Sequence, residues 1–153
     1  MKKLIVIIAL FFGAIAHAQT EADIRNDEAF QQILEKQIAF TVTENRESLQ
    51  AVGDFQQLVL EGFGSFAFSR DALGFQEWIS SRIDDSGFES VEDAVAKYKT
   101  FTDVTNRSRI KGIEIIKEKK KVKEKFDNKE LFDKVYREEW EKEMSKFPAK
   151  PLE

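Results

Sequence analysis

Apolar residues recur at intervals of three and four along most of the chain, and this spacing predicts α-helices. The first block contains Phe30, Ile33, Leu34 and Ile38. Residues at these intervals share one face of a helix, because an α-helix completes one turn in about 3.6 residues. We therefore expect a first amphipathic helix over residues 23–40, with its apolar face packed against the rest of the chain.

Two further blocks predict a second and a third helix. The second is expected over residues 44–61, after a break in the β-branched run 41–43, with Gly62 at its C-terminus because glycine readily adopts the left-handed cap conformation. The third follows Ser69, a residue type favoured as an N-cap, and ends at the turn 84–87. The apolar faces of these helices are Leu49, Val52, Phe55, Leu58 and Val59 in the second, and Leu73, Trp78, Ile79 and Ile83 in the third.

A fourth helical pattern extends over residues 91–126. It follows Ser90, which with Asp93 resembles a capping box that carries aspartate in place of glutamate. Because a helix of this length is unusual in a globular protein, the pattern leaves open one helix or two, with a break near 105–106 or at Gly112. Its predicted apolar face is Val91, Ala94, Val95, Tyr98, Phe101, Thr105, Ile113, Ile116, Val122 and Phe126.

Four isoleucines within residues 110–116 give this segment some strand propensity. Lysine and glutamate are frequent on both sides of it, and no other segment is an obvious partner strand. We therefore expect helix here as well.

A fifth helix is expected after the capping-box pattern 127–130, in which Asp127 is the candidate N-cap. Leu131, Phe132, Val135, Tyr136, Trp140 and Met144 form its apolar stripe. Pro148 and Pro151 indicate that residues 148–153 are a short C-terminal tail. The sequence thus predicts an all-α fold, with a single domain over residues 19–147 built as a bundle of about five helices.

The first eighteen residues have the pattern of a secretory signal peptide. Lys2 and Lys3 are followed by an apolar run to Ile15 and by the small-residue motif 16–18. The run is shorter than the ~20 apolar residues that span a bilayer. We therefore expect cleavage between Ala18 and Gln19, and a soluble periplasmic or secreted protein with no transmembrane segment.

Loss of this segment would remove the only histidine, His17, from a chain that has no cysteine. Without imidazole or thiol groups, a Ser-His-Asp triad, a cysteine nucleophile and the usual zinc sites are excluded. The acidic turn 84–93 fails as a calcium loop, because Arg82 would occupy its first ligand position. The match of Ser108 and Lys111 to the S-x-x-K spacing lacks its companion motifs. We therefore expect a non-enzymatic protein with no catalytic residues, no metal site and no cofactor.

Residues 111–126 form a basic island, with a net charge of +4, in an acidic chain whose overall net charge is -4. Two interpretations are open. The island is the solvated face of a helix, or it docks on an unknown protein or an anionic envelope surface. The expected export and the negative net charge of the chain make nucleic acid an unfavourable partner. The candidate docking residues are Lys117, Lys119, Lys120, Lys121, Lys123 and Lys125.

The segment 63–78 is rich in aromatic residues. Bulky rings in a small bundle usually belong to its core, but a short loop that carries three of them could also line a groove for an apolar ligand. The rings concerned are Phe63, Phe66, Phe68, Phe75 and Trp78. The sequence therefore predicts an exported interaction module, with a carrier of a small apolar ligand as the alternative.

Overall fold

The computed structural model describes residues 19–60 and 72–147. This part of the chain is all-α and contains no strand, which confirms the predicted fold class. Five of its six helices are nine residues or longer. The helices are α1 (Glu21–Asn26), α2 (Glu28–Val42), α3 (Glu44–Leu60), α4 (Ala72–Ser80), α5 (Val91–Lys123) and α6 (Lys129–Met144).

The predicted first helix is in fact two helices, α1 and α2, which meet at Asp27. The backbone of Asp27 is extended, its N–H donates to the carbonyl of Ile24, and its carboxylate accepts from the N–H of Phe30. Asp27 therefore ends α1 and caps α2 at once. The extended backbone of Asp27 interrupts the helix. The prediction of one continuous helix depended on the helical spacing of the apolar residues, which does not show this interruption.

The 33-residue helix α5 has no break, either near residues 105–106 or at Gly112. At Gly112 the helix approaches α2 so closely that a Cβ atom would lie 3.3 Å from the ring of Phe40. Glycine at this position therefore permits close packing and does not interrupt the helix. Ser90 is the N-cap, as predicted, and its hydroxyl accepts from the N–H of Asp93.

The N-terminus of α6 lies one residue later than predicted, because Asn128, and not Asp127, accepts the N–H of Leu131. The third predicted helix is also shorter than expected. It ends at Ser80, and a single 3₁₀ turn at Ile83–Asp85 follows. The turn is tied to α3 by the N–H of Gly87, which donates to the carbonyl of Leu58 at 2.9 Å.

Two hydrophobic cores lie along α5. The central core joins α3, α4 and the N-terminal half of α5, and the terminal core joins α1, α2, α6 and the C-terminal half of α5. The central core consists of Phe55, Val59, Phe75, Ile79, Phe88, Ala94 and Tyr98. The terminal core consists of Ile24, Phe30, Ile33, Leu34, Ile115, Phe126, Phe132, Val135 and Tyr136.

The isoleucines of α5 correct the predicted apolar face. Ile115 is the buried one, at 2 % exposure, whereas the predicted inward residues Ile113 and Ile116 are exposed. The reason is that α5 packs first on α3 and α4 and then on α2, while Lys119 and Lys123 contact side chains of α6. Its buried side therefore changes along its length, which a single stripe does not describe. Leu49 and Leu73 of the predicted faces are exposed as well.

Ion pairs connect α1 to α6. Arg25 contacts Glu138 at 2.7 Å and Glu139 at 2.8 Å, and Lys134 contacts Glu21 at 2.7 Å. Lys134, and after it Arg25, holds the pKa of Glu21 below its usual value of 4.5. Lys142 and then Arg25 lower the pKa of Glu139 in the same way. These carboxylates favour the packed state of α1 only while they are ionised.

We expect Arg25→Gln to lower stability near neutral pH and to have little effect in acid. Because the folded-state pKa of Glu21 and Glu139 is depressed, their contribution is complete above the unfolded value of about 4.5. It disappears as the pH falls through the folded-state pKa. Urea midpoints of the two proteins at pH 7 and at successively lower pH measure this difference. Lys36→Gln, which breaks the separate pair with Glu118, is the control for general charge effects, and a deficit of Arg25→Gln that persisted in strong acid would contradict the assignment.

Candidate docking surface on α5

The predicted lysine run does not form one surface, because the helix distributes it around α5. Lys117 and Lys120 are exposed on the outward side. Lys121 and Lys125 border α2, where they line a shallow groove. Lys119 and Lys123 face α6, and both have partners there: Lys123 pairs with Asp133, and the Lys119 ammonium lies 3.5 Å from the ring centroid of Tyr136. Of the six candidates, two point away from the neighbouring helices.

The environment of Lys119 differs from that of the exposed lysines. Its side chain is half-buried between α5 and α6, and burial lowers the pKa of Lys119 below the usual lysine value. The phenol of Tyr136 beneath it is buried and donates to the side-chain oxygen of Gln37. Burial raises the pKa of Tyr136 well above its usual range. Lys119 is therefore a packed residue and does not contribute to an open cationic surface.

An exposed stripe on α5 combines cations with large apolar side chains. Its members follow helical spacing over about 21 Å of the helix. The outward stripe consists of Asn106, Arg109, Ile110, Ile113, Ile116, Lys117 and Lys120, all exposed. The exposed fractions of its isoleucines are 52 % for Ile110, 40 % for Ile113 and 69 % for Ile116. Three large apolar side chains that follow one another along a solvent-facing stripe are unusual for a helix face that has no binding partner.

The outward stripe has a single sign of charge. Arg109, Lys117 and Lys120 form no ion pair with any residue in the described parts of the chain. The neighbouring exposed acids lie beside the stripe or at its ends, at Asp103, Glu114 and Glu124. The charged members of the stripe are therefore all cations, although the exposed carboxylate of Glu114 lies beside it, three residues before Lys117 and four after Ile110.

Of the aromatic segment, Phe75 and Trp78 fall within the described residues, and both pack in or against the central core. Phe75 has 0 % exposure, and its ring stacks on Tyr98 with 4.3 Å between centroids. Trp78 is half-buried and lies 6.1 Å from Phe75 and under the guanidinium of Arg82. Phe63, Phe66 and Phe68 lie outside the described residues.

The sequence interpretation missed Arg109 and the isoleucines as surface residues. It assigned Ile113 and Ile116 to the inner face of the helix. A signal was present, because Ile110, Ile113 and Ile116 repeat at intervals of three, and Arg109 and Lys117 lie next to the first and the last of them. The pattern did not indicate on which side of α5 the neighbouring helices lie, and therefore which of its sides is exposed.

Two absences concern the described residues, and a third finding concerns the whole chain. No group of three or more histidine, cysteine, aspartate or glutamate side chains in these residues could hold a metal ion. None of the helices there is both long and apolar enough to cross a membrane. No protein-family model matches the chain, and neither a curated protein nor a solved structure is significantly similar to it.

Proposed function

We propose that this protein is an exported, non-enzymatic module that docks on an anionic lipid surface through the outward stripe of α5. The observation that supports this proposal is the composition of the stripe. It presents three exposed isoleucines and three cations without an ion pair, with the nearest exposed acids, Glu114 and Glu124, beside it and at its end. Helices that lie in a membrane interface have this composition, since apolar side chains enter the headgroup region and cations meet the lipid phosphates.

The geometry of the cations suits such a surface. Arg109 precedes the first isoleucine, Lys117 follows the last, and Lys120 lies one turn farther along. Long basic side chains can extend from the helix toward headgroups while their methylenes cover apolar area. The remainder of the protein is acidic, so that an anionic membrane would repel its other faces. The charge distribution therefore favours one orientation, with α5 against the lipid.

Two other occupants of the stripe are less well supported. A second copy of the chain would bring Arg109, Lys117 and Lys120 toward the same three cations, and like charges at short distance repel each other. An acidic protein would satisfy the cations, but the cleft lined by Tyr136 and Trp140 and the groove beside Lys121 and Lys125, where such a partner could anchor a large side chain, both lie off the stripe. Phe75 is fully buried in the central core, so it does not supply groove surface for the alternative of an apolar-ligand carrier.

Vesicle partitioning tests the proposal. The protein is purified as the cell exports it, and its intact mass identifies the N-terminus, which we expect at Gln19. Replacement of Arg109, Lys117 and Lys120 by glutamine should weaken binding to phosphatidylglycerol-containing vesicles about a hundredfold, because each cation near such a surface contributes about 1 kcal/mol. Vesicles of phosphatidylcholine alone should bind neither form.

The matched control removes three cations elsewhere: Arg46→Gln, Lys99→Gln and Lys146→Gln, all at exposed positions. It has the same net charge as the stripe variant and should bind anionic vesicles nearly as well as the parent protein. Ile116→Gln should also weaken binding to the anionic vesicles, because it removes part of the apolar area that enters the headgroup region. Equal losses in both triple variants, or no preference for anionic lipid, would contradict the proposal. Stripe-dependent capture of an acidic protein without lipid binding would replace it with the protein partner.

A further inference from the structure

A second feature, on another side of α5, is a cleft where α2, α5 and α6 meet. Its volume is about 340 Å³, which is near the lower limit for sites that hold small molecules. The residues that line it are Gln37, Lys119, Asp133, Tyr136, Arg137 and Trp140. None of these residues belongs to the outward stripe, so the cleft is independent of the docking surface.

Hydrogen-bond donors without partners are concentrated in this cleft. The ammonium of Lys119 contacts the ring of Tyr136 but no acceptor, and the guanidinium of Arg137 forms no hydrogen bond or ion pair within the described residues. The indole nitrogen of Trp140 is buried and lacks an acceptor there. The amide of Gln37 accepts from Tyr136 through its oxygen, which leaves its NH₂ group as a further donor.

Acceptors are scarce by comparison. The single acid of the cleft, Asp133, already pairs with Lys123. A buried donor without an acceptor is costly, and a half-buried cation without a counter-ion more so. Burial lowers the pKa of Lys119, and the charge of Asp133 raises it in part. An anion in the cleft would supply acceptors to Lys119 and Arg137 together.

We propose that the cleft is a binding site for a small carboxylate with an aromatic or similarly flat apolar body. The carboxylate would be held by Lys119 and Arg137. The half-buried indole of Trp140 supplies an apolar surface for the body of the ligand. The size of the cleft suits a single-ring acid.

Benzoate is the probe that tests this site, with the full chain as the cell produces it. The protein has two tryptophans, and their indole N–H resonances in a proton–nitrogen NMR spectrum report on two different places. Titration with sodium benzoate at constant ionic strength should shift the Trp140 resonance and saturate, with a dissociation constant on the order of 1 mM. The Trp78 resonance, in the central core, should not move. Benzamide, which has the same shape without the charge, should produce no saturable shift.

Variants assign the shift to the cleft. Arg137 is exposed, so Arg137→Gln should fold normally and weaken benzoate binding at least tenfold, since a hydrogen bond to a charged group is lost. Lys119→Gln should act in the same direction. Arg46→Gln, at an exposed position of α3 outside the cleft, is the control and should leave the affinity unchanged. A Trp140 resonance that does not respond to benzoate, an equal response to benzamide, or unchanged affinity in Arg137→Gln would overturn the proposal. Inorganic phosphate that binds as tightly as benzoate would overturn the assignment to an aromatic carboxylate.

Discussion

Replacement of Phe75 by alanine is expected to lower the free energy of unfolding by about 3–5 kcal/mol, the range for truncation of a buried phenylalanine. Phe75 has no exposed surface and contacts Phe55, Tyr98 and Phe88, with ring centroids 5.7, 4.3 and 6.3 Å away. Alanine would leave a cavity in the middle of the central core, which the surrounding rings cannot fill without leaving their present contacts. Because a domain of this kind is stable by ~5–15 kcal/mol, the variant should be partly unfolded at physiological temperature.

Urea denaturation followed by far-UV circular dichroism measures this loss. Gln76→Ala, one residue farther along α4 and exposed, is the control and should change stability by less than about 0.5 kcal/mol. The comparison also separates two interpretations of the aromatic segment. If Phe75 lined a ligand groove and were not part of the core, its truncation would leave stability nearly unchanged and reduce ligand binding instead.

Proline at position 106 is expected to cost about 3 kcal/mol or more and to uncouple the two cores. Asn106 lies within α5, between the central and terminal cores, and its side chain is exposed. Proline would remove one backbone hydrogen bond and would clash with the carbonyl of Thr102, four residues earlier. Since α5 is the helix that contributes to both cores, we expect the parent protein to unfold in one transition and Asn106→Pro in two.

The two tryptophans make this prediction measurable. Trp78 packs against the central core and Trp140 against the terminal core, so single-tryptophan forms with Trp78→Phe or Trp140→Phe report on one core each. In the parent background, the urea curves of the two reporters should coincide. With Asn106→Pro they should separate, whereas Asn106→Ala should keep them together. Coincident curves in the proline variant would show that the contact between α2 and α3 is enough to couple the cores.

Local signals in the sequence predicted most of the helices. The N-cap at Ser90 and the start of α3 at Glu44 agree with the expected positions, because side-chain capping and helical spacing depend on residues a few positions apart. The same reasoning was wrong at Asp27 and at Asp127. At Asp27 one residue ends α1 and caps α2, whereas at 127–128 two neighbouring residues could each cap α6 and Asn128 does so.

The candidate surfaces were less predictable. The lysine run from Lys117 to Lys125 is evident in the sequence, but a helix distributes consecutive residues over all its sides. Contacts between helices then determine which of them remain free, as Lys120 does, and which pack, as Lys119 does over Tyr136. The cleft beside Trp140 joins residues from three helices. No local pattern could have indicated the cleft, because its lining residues are up to 103 positions apart in the sequence. The hydrogen bond from Tyr136 to Ile33 joins α6 to α2 over the same separation.

The sequence alone determined that the described chain would be helical, where α3, α5 and α6 approximately lie, and that its positive charge would be concentrated near the end of α5. Only the tertiary structure decided that Ile115 is buried while Ile113 and Ile116 face the solvent. The physical reason is that spacing defines the sides of a helix but not which side is covered. Burial depends on the neighbours that the rest of the chain supplies, and along α5 those neighbours change from α3 and α4 to α2 and side chains of α6.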